Sequence, residues 1–232
     1  MNVLEARDLT KTYRGGDGGL IHVLDGVNLA VTRGEMVAIV GASGAGKSTL
    51  LHLLGALDAP TSGMVTIAGQ EVAGLDDGGL AELRNRKVGF VFQFHHLLRE
   101  FSALENVMMP MLIAGESDRR ARARACELLE RVGLGERMAH RPAELSGGEQ
   151  QRTAVARALA LDPAVLLADE PSGNLDHMNA ERLHELFDEL ASDLELGMVV
   201  VTHNRSLAAR ADRVLLLEDG KLTDTDVREV VP

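Results

Sequence analysis

A glycine-rich stretch carries the strongest chemical signal in the chain. The sequence GASGAGKST follows the apolar run EMVAIV and opens the helical pattern KSTLLHLLGAL, which is the context that a phosphate-binding loop requires. Backbone N–H groups of its glycines can close around phosphate oxygens, Lys47 can reach the β- and γ-phosphates, and the Ser48 hydroxyl can ligate Mg²⁺. The alternative is a glycine-rich turn with a solvated lysine, which leaves the flanking strand and helix patterns unexplained. The residues predicted to hold a nucleotide are Gly41, Ser43, Gly44, Gly46, Lys47, Ser48 and Thr49.

Two adjacent carboxylates and one histidine lie where further apolar runs end. AVLLADE ends in Asp169 and Glu170, and MVVVTH ends in His203. The carboxyl ends of parallel strands converge on the ligand crevice of a sheet. There Asp169 could hold the Mg²⁺ shell, Glu170 could point toward water, and His203 could bond the γ-phosphate or the attacking water. Taken alone, these residues could be a solvated strand end and an ordinary histidine, but the phosphate loop favours the catalytic interpretation.

A second anion-binding pattern, in AELSGGEQQRTAVARALA, has no lysine of its own. Ser146, Gly147 and Gly148 open a long helix, so that a hydroxyl and free N–H groups lie at the positive end of the helix dipole. No phosphate-loop pattern precedes this stretch within reach. The pattern therefore predicts an anion site that borrows its nucleotide from elsewhere.

Hydrophobic periodicity predicts the elements that must position these residues. EMVAIV, AVLLADE and GMVVVTH are too continuous in apolar residues for one-sided strands, and they predict a parallel α/β core with helices on both faces. LEARDLTKTY, HVLDGVNLAV and GMVTIAGQEV alternate and predict antiparallel strands. Residues from about 95 to 160 are predicted to be helical throughout, with capping-box spacing at Ser102 and Glu105. Asp219 and Gly220 predict a hairpin turn. One apolar helix stripe is predicted at Ala125, Leu128, Leu129 and Val132.

Composition narrows the class of protein. The 232 residues are 45% hydrophobic, which suits one globular domain with subdomains. Acidic residues number 35 against 24 basic ones, and the resulting net charge of −11 opposes non-specific binding to nucleic acid or anionic lipid. The single cysteine, Cys126, excludes an internal disulfide and suits a reducing compartment. The start MNVLEARDLT has no leader pattern and the apolar stretches are too short to span a membrane, so we expect a soluble chain.

Taken in order, these motifs resemble those of the ATPase subunit of ABC transporters over nearly the whole chain. GASGAGKST is similar to the Walker A loop, Gln93 to the Q-loop glutamine, LSGGEQQ to the signature, VLLADE to Walker B, SGNLD to the D-loop, and His203 to the switch histidine. The resemblance implies a P-loop NTPase fold of the RecA-like type, with a parallel-sheet core, an N-terminal antiparallel β subdomain and an inserted α-helical subdomain at about 95–160. Residues 1–232 would form a single ABC ATPase domain.

The resemblance also implies ATP and Mg²⁺ as the bound species and gives individual residues their roles. The catalytic residues that it implies are Glu170, His203 and Gln93. The residues that it implies around Mg²⁺ are Ser48, Gln93 and Asp169. The signature, Ser146 to Gly148, would meet ATP held by a second copy of the chain in a head-to-tail dimer. Two departures, Ser172 for the more usual threonine and Asn204 for an acidic residue, remove no catalytic group.

Two further residues gain a role from the resemblance. Tyr13, the only tyrosine, lies ahead of the phosphate loop, where the family has an aromatic side chain that stacks on adenine. A strand tyrosine packed on the core is the alternative. Asp176 would contact the partner subunit across the interface. We therefore include Asp176 among the residues expected to surround the nucleotide.

One stretch bears on which ABC system the chain serves. The run Phe94-His95-His96-Leu97-Leu98 resembles the lipoprotein-releasing type, as do LLHLLGALDAPTSG, ELRNRKVGF and AHRPAELSGGE. In this family that surface receives the coupling helices of integral membrane subunits, so the resemblance implies a peripheral protein on the cytoplasmic face of a bacterial inner membrane. Leu97 and Leu98 could instead fill the core. Macrolide or peptide efflux ATPases and the cell-division ATPase share this branch and remain alternatives, whereas the compact spacing and acidic charge disfavour a DNA-repair relative.

Overall fold

Two β-sheets form the framework of the protein in a computed structural model that describes residues 1–16 and 18–226. Strand order across the larger sheet is Lys221–Asp224 (β10), Arg213–Glu218 (β9), Met36–Val40 (β3), Gly197–Val201 (β8), Val165–Asp169 (β7) and Val88–Phe92 (β6). Neighbouring strands from β9 to β6 are parallel, and β10 pairs with β9 in the antiparallel sense. The predicted parallel core is confirmed.

The smaller sheet is antiparallel and comes from the N-terminal part of the chain. Its strands lie in the order Leu20–Thr32 (β2), Asn2–Arg14 (β1), Ser62–Ile67 (β4) and Gln70–Glu71 (β5). Each neighbouring pair is antiparallel, as the alternating sequences predict. The Asp219-Gly220 turn likewise joins β9 to β10, and both of its residues have positive φ, 48° and 77°, which is the geometry of a two-residue hairpin.

The helices lie between and after these strands. Their bounds are Lys47–Leu54 (α1), Asp77–Lys87 (α2), Ala103–Ile113 (α3), Asp118–Arg131 (α4), Gly147–Ala158 (α5), His177–Leu194 (α6) and Arg205–Ala208 (α7). Short 3₁₀ turns occupy Gly135–Arg137 and Pro142–Glu144. Ser102 and Glu105 form the predicted capping box at the start of α3. The predicted stripe is also confirmed, since all four of its residues are buried. In the part of the chain that the structure describes, no helix has the length and apolar character that crossing a membrane requires.

The prediction of helix throughout 95–160 was wrong for 95–102, for 114–117, for most of 132–146 and for 159–160. Side chains of α3 and α5 take the place of helical hydrogen bonds in the first of these segments. Arg157 donates to the carbonyl oxygens of His95 and His96 at 2.8 and 2.7 Å. Asn106 accepts from the Leu98 N–H at 2.8 Å and donates to its carbonyl at 3.1 Å. Backbone groups satisfied in this way need no helix.

Alternate residues of the parallel strands pack on opposite faces of the sheet and into separate cores. On β7, Leu166 and Ala168 join a cluster built with α3 to α6, whereas Val165 and Leu167 join a cluster built with α1 and the antiparallel sheet. Helices α3 to α6 thus cover one face, and the second face is shared between α1, α2 and the smaller sheet, so the prediction of helices on both faces is confirmed only in part. A strand that is buried on both faces is apolar along most of its length. Its polar residues therefore lie at its end.

Candidate functional site

The loop between β3 and α1 is shaped by glycines. A Cβ atom at Gly41 would lie 2.4 Å from the Leu217 carbonyl oxygen, and one at Gly46 would lie 2.7 Å from a methyl carbon of Val23. Their φ angles of 147° and 99° are also in the range that glycine tolerates. Gly46 is the N-cap of α1, and no side chain caps this helix within the described residues. The helix start therefore presents its N–H groups to an anion.

Lys47 is folded back onto its own loop. Its ammonium group donates to the carbonyl oxygens of Gly41 and Ala42 at 2.7 and 2.9 Å. A lysine has three donors and a flexible stem, so it can exchange these carbonyls for phosphate oxygens. The loop is thus closed by the same side chain that is predicted to hold the β- and γ-phosphates.

Ser48 and Asp169 face each other across the crevice between α1 and β7. Burial raises the pKa of the Asp169 carboxyl above its ordinary value, a hydrogen bond from the Ser48 hydroxyl lowers it, and the Glu170 carboxylate raises it further. The positive charges of His52 and Lys47 oppose the rise. A half-buried carboxylate beside a hydroxyl offers the hard oxygen ligands that Mg²⁺ prefers, so these two residues fit the predicted cation.

Glu170 and His203 form a direct pair. The Nδ1 atom of His203 lies 2.9 Å from Glu170 Oε1, and the His203 backbone N–H donates to Glu170 Oε2 at 3.2 Å. The Glu170 side chain is 18% exposed and that of His203 is 72% exposed, so the pair lies at the rim of the crevice. Neighbouring strands β7 and β8 bring the two residues together, as the convergence of strand ends predicts.

The backbone of Glu170 is held in a conformation that residues other than glycine rarely adopt. Its φ is +46°, in the left-handed region. Its N–H donates to the Val201 carbonyl at 2.8 Å, and its own carbonyl accepts from the Gly173 N–H at 3.0 Å. Residues in this region cost roughly 1–3 kcal/mol and persist where the surroundings determine them, which often happens at functional sites.

Gln93 contacts the segment that follows Glu170. Its Nε2 donates to Asn174 Oδ1 at 3.0 Å, and the Asn174 side chain donates back to the Gln93 carbonyl at 3.1 Å. The amide nitrogen of the Gln93 side chain is therefore bonded to the segment that follows Glu170. Sequence reasoning missed Asn174, although it lies within the quoted SGNLD motif and its amide was the available signal.

The signature residues contact other residues of α5 and α6. Ser146 is the N-cap of α5, and its N–H and hydroxyl both donate to Glu149 Oε2 at 2.8 Å. These bonds, with Arg137, lower the Glu149 pKa to about 2. A Cβ atom at Gly148 would lie 2.4 Å from Asn179 Oδ1. Within residues 1–16 and 18–226, none of the observed side-chain hydrogen bonds joins this helix start to the phosphate loop.

Asp176 has a structural contact of its own. It is the N-cap of α6, where Oδ1 accepts from the Asn179 N–H at 2.9 Å and Oδ2 accepts from the Asn179 side chain at 2.7 Å. These bonds hold the pKa of Asp176 below its ordinary value. Asn179 in turn lies against Gly148, so the D-loop and the signature are adjacent in one chain.

Tyr13 is 39% exposed and lies close to the phosphate loop rather than in the core. Its hydroxyl donates to Asp58 Oδ2 at 2.8 Å, and the Lys11 ammonium lies 4.7 Å from the centre of its ring. Burial, the Asp58 hydrogen bond and the Asp58 charge raise the Tyr13 pKa, against Lys11 and Thr49. The alternative of a tyrosine packed in the core is wrong.

The segment from Phe94 to Leu97 lines a surface cavity of about 560 Å³, and Leu98 follows it in the chain. Phe94 and Leu98 are 66% and 42% exposed, Leu97 is half-buried, and none of the three belongs to a core cluster. His95 is half-buried; burial and the nearby charges of His96 and Arg157 lower its pKa, against a backbone hydrogen bond to Gly147. The other lining residues are Arg99, Pro142, Ala143 and Gln150.

Comparison with known proteins identifies a family profile and relatives with similar sequences. The sequence profile described as ABC transporter matches residues 24–173. The chain is 57% identical to "Lipoprotein-releasing system ATP-binding protein LolD" of Xanthomonas campestris pv. campestris (strain 8004), over 99% of the chain and 94% of the relative. It is 54% identical to the protein of the same name from Geobacter metallireducens, over 95% of the chain and 98% of that relative.

Two solved structures are similar in fold as well. The dimeric post-hydrolysis state of the ATP-binding cassette MJ0796 bound to ADP and Pi superposes with a TM-score of 0.87 and 41% identity, covering 97% of this chain and 99% of that one. The structure of cbiO1 from Clostridium perfringens, part of the transporter complex cbiONQ, gives a TM-score of 0.86 with 28% identity, covering 99% of this chain and 90% of that one.

Proposed function

The chain belongs to the ABC transporter family, and we propose that it is the ATPase subunit that powers release of lipoproteins from a bacterial inner membrane. ATP binding and hydrolysis follow from the family itself. The cargo rests on one observation, the identity of 57% over nearly the full length to a lipoprotein-releasing relative. Proteins this similar share their fold and their chemistry, whereas cargo is chosen by membrane partners.

Glu170 acts as the general base in this proposal. Its carboxylate is aimed by His203, which contacts both oxygens. A carboxylate fixed in this way can take a proton from a water placed opposite the γ-phosphate, and positioned bases contribute on the order of 10²–10⁴-fold to such steps. The exposed ring of His203 is free to approach the γ-phosphate while its Nδ1 stays with Glu170.

Mg²⁺ would be held by Ser48 and Asp169, whose oxygen atoms already face each other. When bound, the cation neutralises charge on the β- and γ-phosphates. Gln93 is bonded to Asn174 through Nε2, which leaves its Oε1 to join these ligands, and Lys47 would exchange a bond to the Gly41 or Ala42 carbonyl for one to phosphate. We infer that nucleotide binding rearranges the contacts of Lys47.

The second half of each ATP site would come from another copy of the chain. Ser146, Gly147 and Gly148 present a hydroxyl and a helix start without a lysine, and the dimeric cassette MJ0796 shows that similar chains associate in pairs. The Ser146 hydroxyl is bonded to Glu149, so a γ-phosphate must compete with that carboxylate for it. Tyr13 would stack on adenine, and Asp176 would lie at the interface.

Phe94 to Leu98 would receive a coupling segment of the membrane subunits, which would hold the protein at the cytoplasmic face of the inner membrane. The exposed apolar side chains of Phe94 and Leu98 and the adjoining cavity suit a short helix in a groove. The backbone of this segment is fixed by Arg157 and Asn106, so its shape does not depend on a partner.

The cargo is tested by purifying from membranes the complex that this chain forms and reconstituting it in vesicles that carry a lipoprotein. ATP should release the lipoprotein to a soluble acceptor, and Lys47→Ala should abolish that release. A complex that hydrolyses ATP but releases no lipoprotein would overturn the proposed cargo in favour of an efflux or cell-division role.

The docking surface is tested separately with Phe94→Ala, His96→Ala and Leu98→Ala combined in one chain. All three side chains are exposed, so the unfolding temperature and the basal ATPase of the soluble subunit should stay close to wild type. Assembly with the membrane subunits or coupled release should fall. Ile113→Ala is the matched control, because Ile113 is a 70% exposed apolar residue outside the cavity. Unimpaired release by the triple variant would refute the docking role.

A further inference from the structure

A buried histidine on α6 joins the segments that follow Glu170 and His203. The side chain of His184 has no exposed surface, and its Nε2 lies 3.0 Å from the hydroxyl oxygen of Ser172, which is itself buried. Ser172 lies two residues after Glu170 in the chain. The Ser172 hydroxyl and His184 Nε2 satisfy each other in the interior, whereas His184 Nδ1 makes no hydrogen bond in the part of the chain that the structure describes.

The other side of the imidazole faces a carboxylate bonded to α7. Nδ1 of His184 lies 3.5 Å from Glu181 Oε1, one helical turn earlier on α6. The same Glu181 oxygen accepts from the Ser206 hydroxyl at 2.7 Å. Ser206 lies three residues after His203, within α7. Arg210 donates to Glu181 Oε2 at 2.9 Å and also bonds Asp188, which fixes Glu181 in place.

These contacts connect the segment after Glu170 to the segment after His203 a second time. At one end Glu170 and His203 touch directly, and at the other end Ser172 and Ser206, a few residues further along the chain, are joined through His184 and Glu181. Burial lowers the His184 pKa, and the charge of Arg210 acts in the same direction, whereas Glu181 and Asp188 oppose it. The His184 imidazole therefore stays neutral near neutral pH. In the neutral tautomer that carries its proton on Nδ1, facing Glu181, Nε2 would accept from the Ser172 hydroxyl.

We propose that His184 is a positioning residue for ATP hydrolysis: it fixes the segment after Glu170 against the helix after His203, and so keeps the Glu170 carboxylate aimed. The proposal rests on the roles proposed above for Glu170 and His203. Glu170 has a strained backbone, so its orientation depends on such external contacts.

The test measures steady-state ATPase kinetics of the full chain with Ser172→Ala and with His184→Leu. Each should lower kcat by ~10- to 100-fold, as expected when a reacting group is misplaced by about an ångström, and leave KM for ATP within about twofold. The double variant should be no slower than the slower single variant, because both changes remove one shared contact. Ser172→Thr, which keeps a hydroxyl, should retain wild-type kcat.

Three comparisons keep a structural role and a positioning role apart. Ser192→Ala is the matched control, because it deletes a hydroxyl on the same helix that bonds only the Glu189 carbonyl in the described chain, and it should leave kcat unchanged. In a Glu170→Gln background, Ser172→Ala should change residual hydrolysis by less than about twofold, since its effect runs through Glu170. A Ser172→Ala chain with a lowered unfolding temperature but full kcat, or single-variant losses that multiply in the double variant, would overturn the proposal. An unaffected rate in Glu170→Gln alone would instead overturn the role of Glu170.

Discussion

Replacing Glu170 by glutamine removes the proposed base with the least disturbance of its surroundings. Glutamine has the same shape, and its Oε1 can still accept from the His203 backbone N–H, which now donates to a carboxylate oxygen at 3.2 Å. The His203 side chain is 72% exposed, so the lost Nδ1 contact contributes little to folding stability. The substitution should therefore change chemistry without unfolding the site.

The expected loss of hydrolysis rate in Glu170→Gln follows from the proposed role of Glu170 as general base. Loss of a positioned general base slows hydrolysis by ~10²–10⁴-fold, which corresponds to about 3–5 kcal/mol of activation free energy. Affinity for ATP should stay within about threefold, because the phosphates are held by the loop and Lys47 rather than by Glu170. Since ATP then binds without being consumed, Glu170→Gln should form an ATP-dependent dimer visible by size-exclusion chromatography.

The assay has a close internal control in Glu35→Gln. The Glu35 side chain is 14% exposed and its ion pair with Arg213 spans 2.9 Å, while that of Glu170 is 18% exposed and its pair with His203 also spans 2.9 Å. Glu35 lies at the opposite end of β3 from the phosphate loop. The control should keep the wild-type rate of phosphate release. Hydrolysis by Glu170→Gln within about threefold of wild type would refute the assignment.

Three further outcomes are expected. Lys47→Ala should weaken ATP affinity by about 10- to 100-fold in a fluorescent-nucleotide titration, because a charge-assisted contact to phosphate is lost, and unchanged affinity would contradict the loop assignment. Mixing Ser146→Arg chains with Lys47→Ala chains should restore hydrolysis that neither shows alone, because one of the two composite sites is then intact; no recovery, or wild-type hydrolysis by a monomeric Ser146→Arg chain, would count against a site shared between chains. The Glu149 pKa of about 2 lies below its ordinary 4.5, so its stabilisation is complete above pH 4.5 and is lost as the pH falls through 2. On acidification from roughly pH 6 to pH 3, the wild type should lose about 1 kcal/mol more stability than Glu149→Gln in denaturant titrations, and equal losses would argue against this capping box.

Much of the candidate site was predictable because its residues lie in short motifs with local causes. A glycine loop after a buried strand has the same consequence wherever it occurs, and the ends of parallel strands must meet at one edge. For this reason the phosphate loop, Asp169, Glu170 and His203 could be assigned from sequence order alone. The capping box at Ser102 is local in the same way, since it needs only four consecutive residues.

Long-range pairings could not be predicted, because a hydrogen bond between distant residues leaves no periodic trace. Gln93 and Asn174 are 81 residues apart, and Arg157 reaches His96 across 61. The second pairing also explains why the helix prediction for 95–102 was wrong: the distant guanidinium satisfies carbonyls that a helix would otherwise have to satisfy. His184 carries no motif at all, and only the fold brings it to Ser172.

These long-range contacts connect the proposed docking surface to both halves of an ATP site. Gln93 immediately precedes Phe94 and is bonded to Asn174, four residues after Glu170, so a shift of the segment changes the loop that carries the base. Arg157 fastens the same segment to α5, whose first turn is the signature. Because packed elements move as units rather than bending continuously, a partner that displaced this segment would act on the proposed base of one site and on the signature proposed to serve the other.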